Sequence, residues 1–509
     1  MSKLMDRMKD AISSYSQYTA IKDANHAITY AEFEKKSTIL AHEVKKRISE
    51  CKEEPIIILM ERSVNFIIAI VGILKAGGYY IPLELPYPIE RISRIKKESK
   101  CKLLIVDKVG MQSISSEEFR TWTIISIDTL PEAEYDIETN ETNDVIDDDS
   151  SLCYAIYTSG SSGLPKGVRI QKDSVLNLVQ ALQNEIYINI MGRINIAVVA
   201  SFSFDSSVKQ IYCSILLGHT LVICTKSQKM FPQKLLRFFN NESIFLTDIT
   251  PSMIDIITLS SFKQCKVQYF LVGGEILRWD TIHRLNNHIG YKPHIFNLYG
   301  PTECCVDVAS YQVSKHTTIP SNGIVPIGKP LSNISIELID DFDKITNDNY
   351  GQLLISGVCV ARGYICDDDN KNSFRQHPIY PEKKAYATGD FARINEEGLL
   401  VVVGRTDDQI KIHGNRVELS EIQTIIQHHP GINGCSVIYK NNKLICFIVK
   451  KDDSAIDLKL YLSKHIPTYM FPQEVYVIPA IPINAHGKVD KAALMSLREG
   501  TVPQAMDDC

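Results

Sequence analysis

The sequence predicts an α/β protein in which helices cover the sheets. Helical and strand-like segments alternate along most of the 509 residues, a pattern typical of this fold class. The apolar run 55–60 has the length of a buried strand, and helical periodicity marks residues 28–47 before it and 65–77 after it. Apolar residues make up 44% of the chain, enough for a packed core.

A second compositional unit begins near residues 404–414, GRTDDQIKIHG, and continues in a short α+β pattern. By length alone, the chain could hold about three ordinary domains or one large and one small domain. Residues 128–150 contain ten acidic residues and no lysine or arginine. We interpret them as a solvated loop rather than a metal-binding tract, because blocks of like charge are usually solvated.

Composition excludes several classes of function. The formal net charge of −5 indicates no basic face for nucleic acid. The charged N-terminus lacks the apolar core of a signal peptide, and the longest apolar stretch, 66–78, is shorter than the roughly 20 residues that span a bilayer. The 13 cysteines show no C-x-x-C spacing, which favours reduced thiols. We expect a cytoplasmic protein without nucleic-acid or membrane partners.

A glycine-rich loop, YTSGSSGLPKG (157–167), lies between predicted strands at 152–159 and 166–171. A helix is predicted over 172–186, with Asp173 or Ser174 as its cap. Backbone N–H groups in such a loop can form an anion-binding nest, and we expect a phosphate. The loop does not fit the Walker pattern, since Gly167 follows Lys166 and no helix opens there. An ordinary flexible turn is the alternative.

Further motifs stand on both sides of this loop. In order along the chain, they are LKAGGYYIPLE (74–84), before the loop, and then FDSS (204–207), NLYGPTE (297–303), GQLLISGVCVARGY (351–364), YATGDF (386–391), GRTDDQIKIHGNRVELSEIQ (404–423), IPTYMFP (466–472) and HGKVDK (486–491). Together with the loop, this series resembles the amino-acid adenylation domains of nonribosomal peptide synthetases, members of the ANL superfamily of adenylate-forming enzymes. The resemblance covers residues from about 28 to 491, so a chance origin is remote.

The resemblance implies a large N-terminal core of stacked α/β subdomains, residues 1–406, which binds ATP and the amino acid. It also implies a small mobile C-terminal domain, residues 407–509, that swings about a hinge at Asp407 and carries the catalytic Lys488. The implied reaction is attack of an amino-acid carboxylate on the α-phosphorus of ATP. Catalysis would then depend mainly on positioning and electrostatic stabilisation.

The resemblance also assigns the residues that bind ATP and Mg²⁺. Glu303 matches the magnesium carboxylate, Thr302 a donor to the α-phosphate, Asp390 the acceptor of the ribose hydroxyls and Arg405 a contact on the ribose side. Asn297 and Tyr299 match the adenine-contacting pair. The phosphate loop supplies Thr158, Ser159, Gly160, Ser161, Ser162, Gly163 and Lys166.

Asp205 matches the family's partner for the substrate α-ammonium, although an Asp that caps a turn is the alternative. The remaining pocket positions are Ser206, Lys209, Asp248, Leu271, Gly273, Leu298, Val306 and Asp307, with Lys488 closing the set. A pocket lysine favours a side-chain carboxylate, so we predict L-glutamate. If Asp248 or Asp307 already neutralises Lys209, glutamine would fit better. If the acids face the substrate unpaired, lysine or ornithine would fit.

Three positions depart from the family pattern. Val402 replaces an aromatic residue that stacks on adenine, His413 replaces an arginine and Ser420 replaces a glycine. The chain shows neither a condensation motif nor a carrier-protein motif, so we expect a free-standing enzyme or an excised domain that loads a separate phosphopantetheine-bearing carrier protein. The alternatives are an acyl- or aryl-CoA synthetase, a D-alanine carrier-protein ligase and a catalytically silent nucleotide-binding protein.

Overall fold

A computed structural model of the chain describes residues 2–48, 52–114, 122–131, 148–160, 164–313, 320, 323–340, 342–346, 348–366, 373–405, 409–412, 414–452, 456–482, 489–500, 503 and 506. The chain forms two compact units. The first unit comprises Met1–Leu85, Glu98–Tyr157 and Gly167–Thr406. The second unit comprises Pro86–Lys97, Thr158–Lys166 and Asp407–Cys509. Most of the acidic stretch, residues 132–147, lies outside the described residues.

The described helices are α1 (Lys3–Ser14), α2 (Tyr30–Arg47), α3 (Val64–Ala76), α4 (Ile89–Ser99), α5 (Lys108–Ser113), α6 (Lys172–Glu185), α7 (Ser206–Leu216), α8 (Lys226–Met230), α9 (Pro232–Asn241), α10 (Pro251–Thr258), α11 (Trp279–Ile289), α12 (Leu419–Gln427), α13 (Leu458–His465) and α14 (Lys491–Gly500). No helix in this part of the chain has both the length and the apolar character needed to cross a membrane.

The described strands are β1 (Thr19–Lys22), β2 (Ala27–Thr29), β3 (Pro55–Met60), β4 (Tyr79–Glu84), β5 (Leu103–Val106), β6 (Thr123–Ser126), β7 (Leu152–Thr158), β8 (Lys166–Gln171), β9 (Asn195–Val198), β10 (Thr220–Ile223), β11 (Ile244–Ile249), β12 (Tyr269–Val272), β13 (His294–Tyr299), β14 (Ala309–Gln312), β15 (Lys329–Pro330), β16 (Ile334–Ile339), β17 (Tyr350–Gly357), β18 (Gly363–Tyr364), β19 (Phe374–Gln376), β20 (Lys384–Ile394), β21 (Leu400–Arg405), β22 (Gln409–Ile412), β23 (Asn415–Glu418), β24 (Ile432–Lys440), β25 (Lys443–Lys450) and β26 (Glu474–Val477).

Within the described residues, the first unit contains three sheets. A nine-stranded sheet has the order β15-β14-β13-β12-β11-β9-β10-β1-β2, and a seven-stranded sheet has the order β18-β8-β7-β4-β3-β5-β6. Their central strands are parallel, which requires helical crossovers that cover both faces. The third sheet contains β16, β17, β19, β20 and β21 and is antiparallel. The predicted α/β class is confirmed.

Local sequence explains where these elements begin and end. Every residue of β3 is buried, in agreement with its continuous apolar run. Thr29 and Glu32 form a capping box at the start of α2, and α3 ends at Gly77, whose φ is 92°. The predicted cap of α6 is wrong: Gln171 occupies the N-cap position, and Asp173 lies inside the first turn.

The second unit has its own hydrophobic core. Its residues from 409 onward form the β22–β23 pair, a three-stranded sheet in the order β24-β25-β26 and the helices α12, α13 and α14. Val417, Ile422, Leu444, Leu462 and Val475 are completely buried in one cluster. This mixed pattern agrees with the small α+β unit expected at the C-terminus.

Candidate active site

Four of the predicted substrate residues, Asp248, Leu271, Gly273 and Leu298, lie at the ends of neighbouring strands of the nine-stranded sheet. The parallel register aligns Asp248 of β11 with Leu271 of β12, and Leu271 with Phe296 of β13. Leu298 follows two residues later on the same face of β13, because side chains alternate along a strand. These positions lie next to the carboxyl ends of the three strands, the edge at which ligands bind in open α/β sheets.

Gly273 directly follows β12 and closely approaches the neighbouring strand. A Cβ atom at this position would lie 2.8 Å from the backbone oxygen of Leu298. Any larger residue would therefore push the ends of β12 and β13 apart. The predicted substrate position is thus a place where the backbone requires glycine.

The start of α7 carries Asp205, Ser206 and Lys209. Asp205 occupies the N-cap position of α7, but its side chain makes no capping hydrogen bond. This observation does not support the alternative interpretation of Asp205 as a capping residue. Residues 205 and 209 are four positions apart, so they lie one helical turn apart on the same face. Ser206, which directly follows Asp205, is partly buried.

Lys209 forms a buried charge cluster with two acids. Its Nζ lies 2.6 Å from Oδ2 of Asp248 and donates hydrogen bonds to both carboxylate oxygens of Asp307, at 2.9 and 3.2 Å. The exposed fractions of the three residues are 3%, 6% and 4%. Lys209 therefore does not depend on a substrate for a carboxylate partner. The glutamine interpretation assumed that Asp248 or Asp307 already neutralises Lys209. In the structure, both acids pair with it.

The cluster changes the protonation behaviour of its members. Burial is the largest cause that raises the pKa of Asp248 to about 6; the carboxylates of Asp307 and Asp205 add to this effect, and the Lys209 charge opposes it. Burial alone would lower the pKa of Lys209, but the charges of Asp248 and Asp307 outweigh burial and raise it. Lys209 thus stays cationic, while Asp248 titrates close to neutral pH.

A strained turn places Asp307 beside Lys209. Cys305 and Val306 both have positive φ, 55° and 75°, and this conformation is unusual for a β-branched residue. The chain also folds back on Gly300, where a Cβ atom would lie 2.2 Å from the backbone oxygen of Val306. Such strain persists only where the surrounding structure imposes it, and it concentrates at functional sites.

Three of the predicted nucleotide residues form one hydrogen-bonded group. Asp390 and Arg405 face each other in the pairing of β20 with β21. Arg405 Nη1 donates to Oδ1 of Asp390 at 2.8 Å, and the Tyr299 hydroxyl donates to Oδ2 at 2.5 Å. Gly389 has a φ of 78°, and a Cβ atom there would lie 2.6 Å from Nη2 of Arg405. Each oxygen of Asp390 keeps lone-pair capacity for a further donor, such as a ribose hydroxyl.

Asn297 has a structural function as well. It is buried, and its Nδ2 donates to the backbone oxygens of Val325 and Pro326 at 3.3 and 2.7 Å. The amide donors of Asn297 are thus used within the protein. A contact with a nucleobase would have to involve Oδ1. Val402, in place of the usual aromatic residue, is also buried.

Glu303 is almost completely buried, with an exposed fraction of 1%. It belongs to the short 3-10 turn Thr302–Cys304, in which Thr302 is partly buried. Tyr364 donates a hydrogen bond from its hydroxyl to Oε1 of Glu303 at 2.8 Å. Sequence reasoning gave Tyr364 no function, although it ends the quoted motif GQLLISGVCVARGY.

The buried carboxylate of Glu303 is of a type that could bind a magnesium ion. Among the described residues, no group of three or more His, Cys, Asp and Glu side chains could hold a metal. Mg²⁺ bound to phosphates needs only one or two carboxylates and retains water ligands. A buried, hydrogen-bonded carboxylate such as Glu303 meets this requirement.

The described part of the phosphate loop belongs to the second unit. A Cβ atom on Gly160 would lie 2.0 Å from the backbone oxygen of Leu164, so the turn is tight. The Ser159 hydroxyl donates to the backbone oxygen of Arg416 at 2.8 Å, and Thr158 Oγ1 lies 3.5 Å from the backbone oxygen of Lys166. The loop joins neighbouring strands, as predicted.

Six residues named in the sequence analysis lie outside the described residues: Ser161, Ser162, Gly163, Asp407, His413 and Lys488.

Comparison with known proteins places these residues in a family. Residues 8–365 match the family model of the AMP-binding enzymes, and residues 421–488 match the model of the AMP-binding enzyme C-terminal domain. Bacitracin synthase 1 of Bacillus licheniformis is 34% identical over 504 residues, which are 95% of this chain and 9% of that protein. The chain thus spans a small part of this relative.

A relative of similar length is zwittermicin A synthase ZmaJ of Bacillus cereus, 30% identical over 92% of this chain and 90% of that protein. Among solved structures, a nonribosomal peptide synthetase protein containing adenylation and PCP domains, bound to a vinylsulfonamide inhibitor, has a TM-score of 0.79. It is 21% identical, and the match covers 97% of this chain and 84% of that chain. At this identity the structural likeness supports the fold alone.

The two family matches and the similarity to the peptide synthases point to one family. The chain belongs to the AMP-binding enzyme family and is, within the ANL superfamily of AMP-forming ligases, an adenylation domain of the nonribosomal peptide synthetase type.

Proposed function

We propose that the protein activates an amino acid with ATP, forming an aminoacyl-adenylate and releasing pyrophosphate. The group formed by Tyr299, Asp390 and Arg405 supports this proposal most directly, because it presents an oriented carboxylate suited to two ribose hydroxyls. Asn297 would contact the base, Thr302 the α-phosphate, and residues 158–160 with Lys166 the outer phosphates. Mg²⁺ held at Glu303 would neutralise phosphate charge as pyrophosphate leaves.

We infer that Asp205 binds the α-ammonium of the substrate. A carboxylate that makes no capping bond at a helix start lies where the helix dipole already favours negative charge. Fatty and aryl acids offer no ammonium to such a residue. An acyl- or aryl-CoA synthetase is therefore the weaker alternative, and activation of fatty or aryl acids would favour it.

For the substrate side chain we propose L-glutamate, and buried Lys209 carries this proposal. Burying an ammonium is costly, and a neutral side chain would suffice to recognise an amide. The acids Asp248 and Asp307 keep Lys209 charged and fix its position. A cation maintained in this way is useful mainly for an anionic ligand, since hydrogen bonds to charged groups contribute about 1.5–3 kcal/mol.

The contacts of Lys209 also define the alternatives. The cluster has one positive and, with both acids ionised, two negative charges. Glutamine could accept a hydrogen bond from Lys209 and donate one to an acid without adding charge. Lysine or ornithine could pair with the excess negative charge. The small side chain of D-alanine would leave Lys209 without a function.

For the second half-reaction we propose transfer of the aminoacyl group to the phosphopantetheine thiol of a carrier protein acting in trans. A structurally similar protein contains adenylation and PCP domains, which supports a carrier protein as the acceptor; that the carrier acts in trans rests on the motif resemblance. Residues 407–509 would act as a mobile domain with Asp407 as the hinge and Lys488 as the catalytic cation. These two assignments rest on the motif resemblance.

The test is amino-acid-dependent exchange of labelled pyrophosphate into ATP, measured for all proteinogenic amino acids, ornithine and D-alanine. We expect exchange with L-glutamate. Exchange with another amino acid would retain the adenylation proposal and refute the glutamate proposal. ATP binding without exchange by any of these acids would favour a catalytically silent nucleotide-binding protein.

A further inference from the structure

The charge cluster around Lys209 poses an electrostatic problem for an acidic substrate. With Asp248 and Asp307 ionised, the buried cluster already carries one excess negative charge. A substrate carboxylate would bring a third negative charge to a single ammonium. Buried charge without compensation is strongly unfavourable, and like charges that share a site favour protonation of one of them. The cluster must therefore lose a negative charge to accept glutamate.

We propose that Asp248 takes up one proton when a substrate with a side-chain carboxylate enters the pocket, and that Asp248 is thus a specificity-determining residue for acidic substrates. The inference rests on the proposed glutamate specificity. The proton comes from solvent, stays on the Asp248 carboxyl group while the substrate is bound, and returns to solvent when the product leaves. No covalent step involves this proton.

Geometry distinguishes Asp248 from the other acid of the cluster. Asp307 accepts hydrogen bonds from Lys209 on both oxygens. Oδ2 of Asp248 lies 2.6 Å from Nζ as an ion pair, yet it is buried and accepts no hydrogen bond of standard geometry. Asp248 is thus the less well satisfied carboxylate. When protonated, Asp248 has an O–H group that can donate a hydrogen bond to the substrate carboxylate.

The groups around Asp248 place its titration near neutral pH. Burial and the carboxylates of Asp307 and Asp205 raise its pKa, Lys209 lowers it, and the net value is about 6. Two further titratable groups contact the cluster: Tyr187, from the 3-10 turn before β9, interacts with Asp248, and the Cys213 thiol interacts with Tyr187, Lys209 and Asp307 and has its pKa raised by burial. The Tyr187 phenol stays neutral because burial raises its pKa well above the ordinary value. One further negative charge from the substrate is therefore sufficient to protonate Asp248 at neutral pH.

The first test is the ratio of kcat/KM for glutamate to that for glutamine as a function of pH. The ratio cancels effects of pH on ATP and on the remaining machinery. In the enzyme without substrate, Asp248 is ionised above its pKa of about 6, and it must gain a proton before glutamate binds. We therefore expect the ratio to fall about tenfold for each pH unit above about 6. In Asp248→Asn, the amide cannot titrate, so the ratio should become independent of pH. Asp255→Asn, which changes a half-exposed acid on α10, should retain the slope.

The second test counts protons on the unmodified enzyme. Calorimetric titration in two buffers with different ionisation heats, at a pH about one unit above the pKa of Asp248, should show uptake of nearly one proton per glutamate and none per glutamine. This result does not depend on folding of a variant. If glutamate supports exchange, but the ratio of kcat/KM values does not change with pH and no proton is taken up, this inference is overturned and the glutamate proposal stands. Exchange with glutamine, lysine or ornithine but not glutamate would overturn both.

Discussion

The hydroxyl of Tyr364 donates a hydrogen bond to Oε1 of Glu303 at 2.8 Å. Both residues are buried, and they come from motifs about 60 positions apart, at the end of NLYGPTE and the end of GQLLISGVCVARGY. The bond restrains the orientation of the carboxylate that we propose as the magnesium ligand. Tyr364 is therefore a positioning residue, which acts through Glu303 rather than on the substrate.

Tyr364→Phe should raise the Mg²⁺ concentration needed for half-maximal pyrophosphate exchange. Removing a hydrogen bond to a charged group costs about 1.5–3 kcal/mol, so we expect a change of about tenfold or more. Magnesium titration of the exchange reaction measures it. Tyr350→Phe, which removes an exposed hydroxyl on β17 of another sheet, is the control. An unchanged magnesium requirement would refute the positioning role.

Lys209→Gln should lower kcat/KM for glutamate by about 10- to 100-fold, the range that corresponds to loss of one charged hydrogen bond. The loss for glutamine should be much smaller, because an amide can pair with either acid. Pyrophosphate exchange with both amino acids measures the two values. Lys226→Gln, an exposed lysine on α8, should change neither. Equal losses for both substrates would contradict the role of Lys209.

Asp205→Asn should weaken every amino-acid substrate by a similar factor, because the α-ammonium is common to all of them. We expect about tenfold or more in kcat/KM, from loss of a charge-assisted contact. Binding of an ATP analogue, measured by calorimetry, should be unchanged. Asp348→Asn, at an exposed position, is the matched control. A loss confined to one amino acid would argue against an α-ammonium contact.

Gly273→Ala should destabilise the edge of the sheet and raise KM for the amino acid. The new Cβ atom would lie 2.8 Å from the Leu298 backbone oxygen, so the two strand ends must separate. Overpacking of this kind costs about 1–3 kcal/mol in the free energy of unfolding. Denaturant titration and exchange kinetics measure both effects. Gly434→Ala has only ordinary contacts at its Cβ position and should be neutral; equal effects at both glycines would refute the steric explanation.

Lys488→Ala should abolish adenylate formation and largely preserve thioester transfer from supplied aminoacyl-adenylate. The physical reason is that the lysine charge would act on the developing α-phosphate charge, which is absent in the second half-reaction. Single-turnover loading of a carrier protein separates the two steps. Lys491→Ala, the neighbouring lysine of the same motif, is the comparison variant. Loss of both half-reactions would contradict the assignment to one step.

Local patterns predicted much of the fold. The strand at 55–60, the helix after it and the two strands around the glycine-rich loop all appear where periodicity and turn residues place them. The α6 cap was wrong because two adjacent residues, Asp173 and Ser174, could both cap a helix. The chain instead starts the helix one residue before Asp173, after Gln171, and tertiary context decides such choices.

Contacts distant in sequence could not be predicted. The types of Lys209, Asp248 and Asp307 suggested a charged pocket, but only the fold shows that the lysine pairs with both acids. The positive φ of Cys305 and Val306 had no signal beyond the nearby Gly300. The hydrogen bond from Tyr364 to Glu303 was not predictable either, because the two residues belong to motifs that are far apart in sequence. In each case the partners come from separate strands or turns.

The spacing of Asp205 and Lys209 along α7 has a further consequence. If both residues bind the substrate, this spacing sets the substrate length that fits. Four residues of helix advance about 6 Å, and this rise separates the proposed partner of the α-ammonium, Asp205, from the proposed partner of the side chain, Lys209. An acid one methylene shorter, such as aspartate, would fall short by about one carbon–carbon bond, or about 1.5 Å. A change in preferred length would thus require only that the cation move along one helix, with the nucleotide residues unaltered.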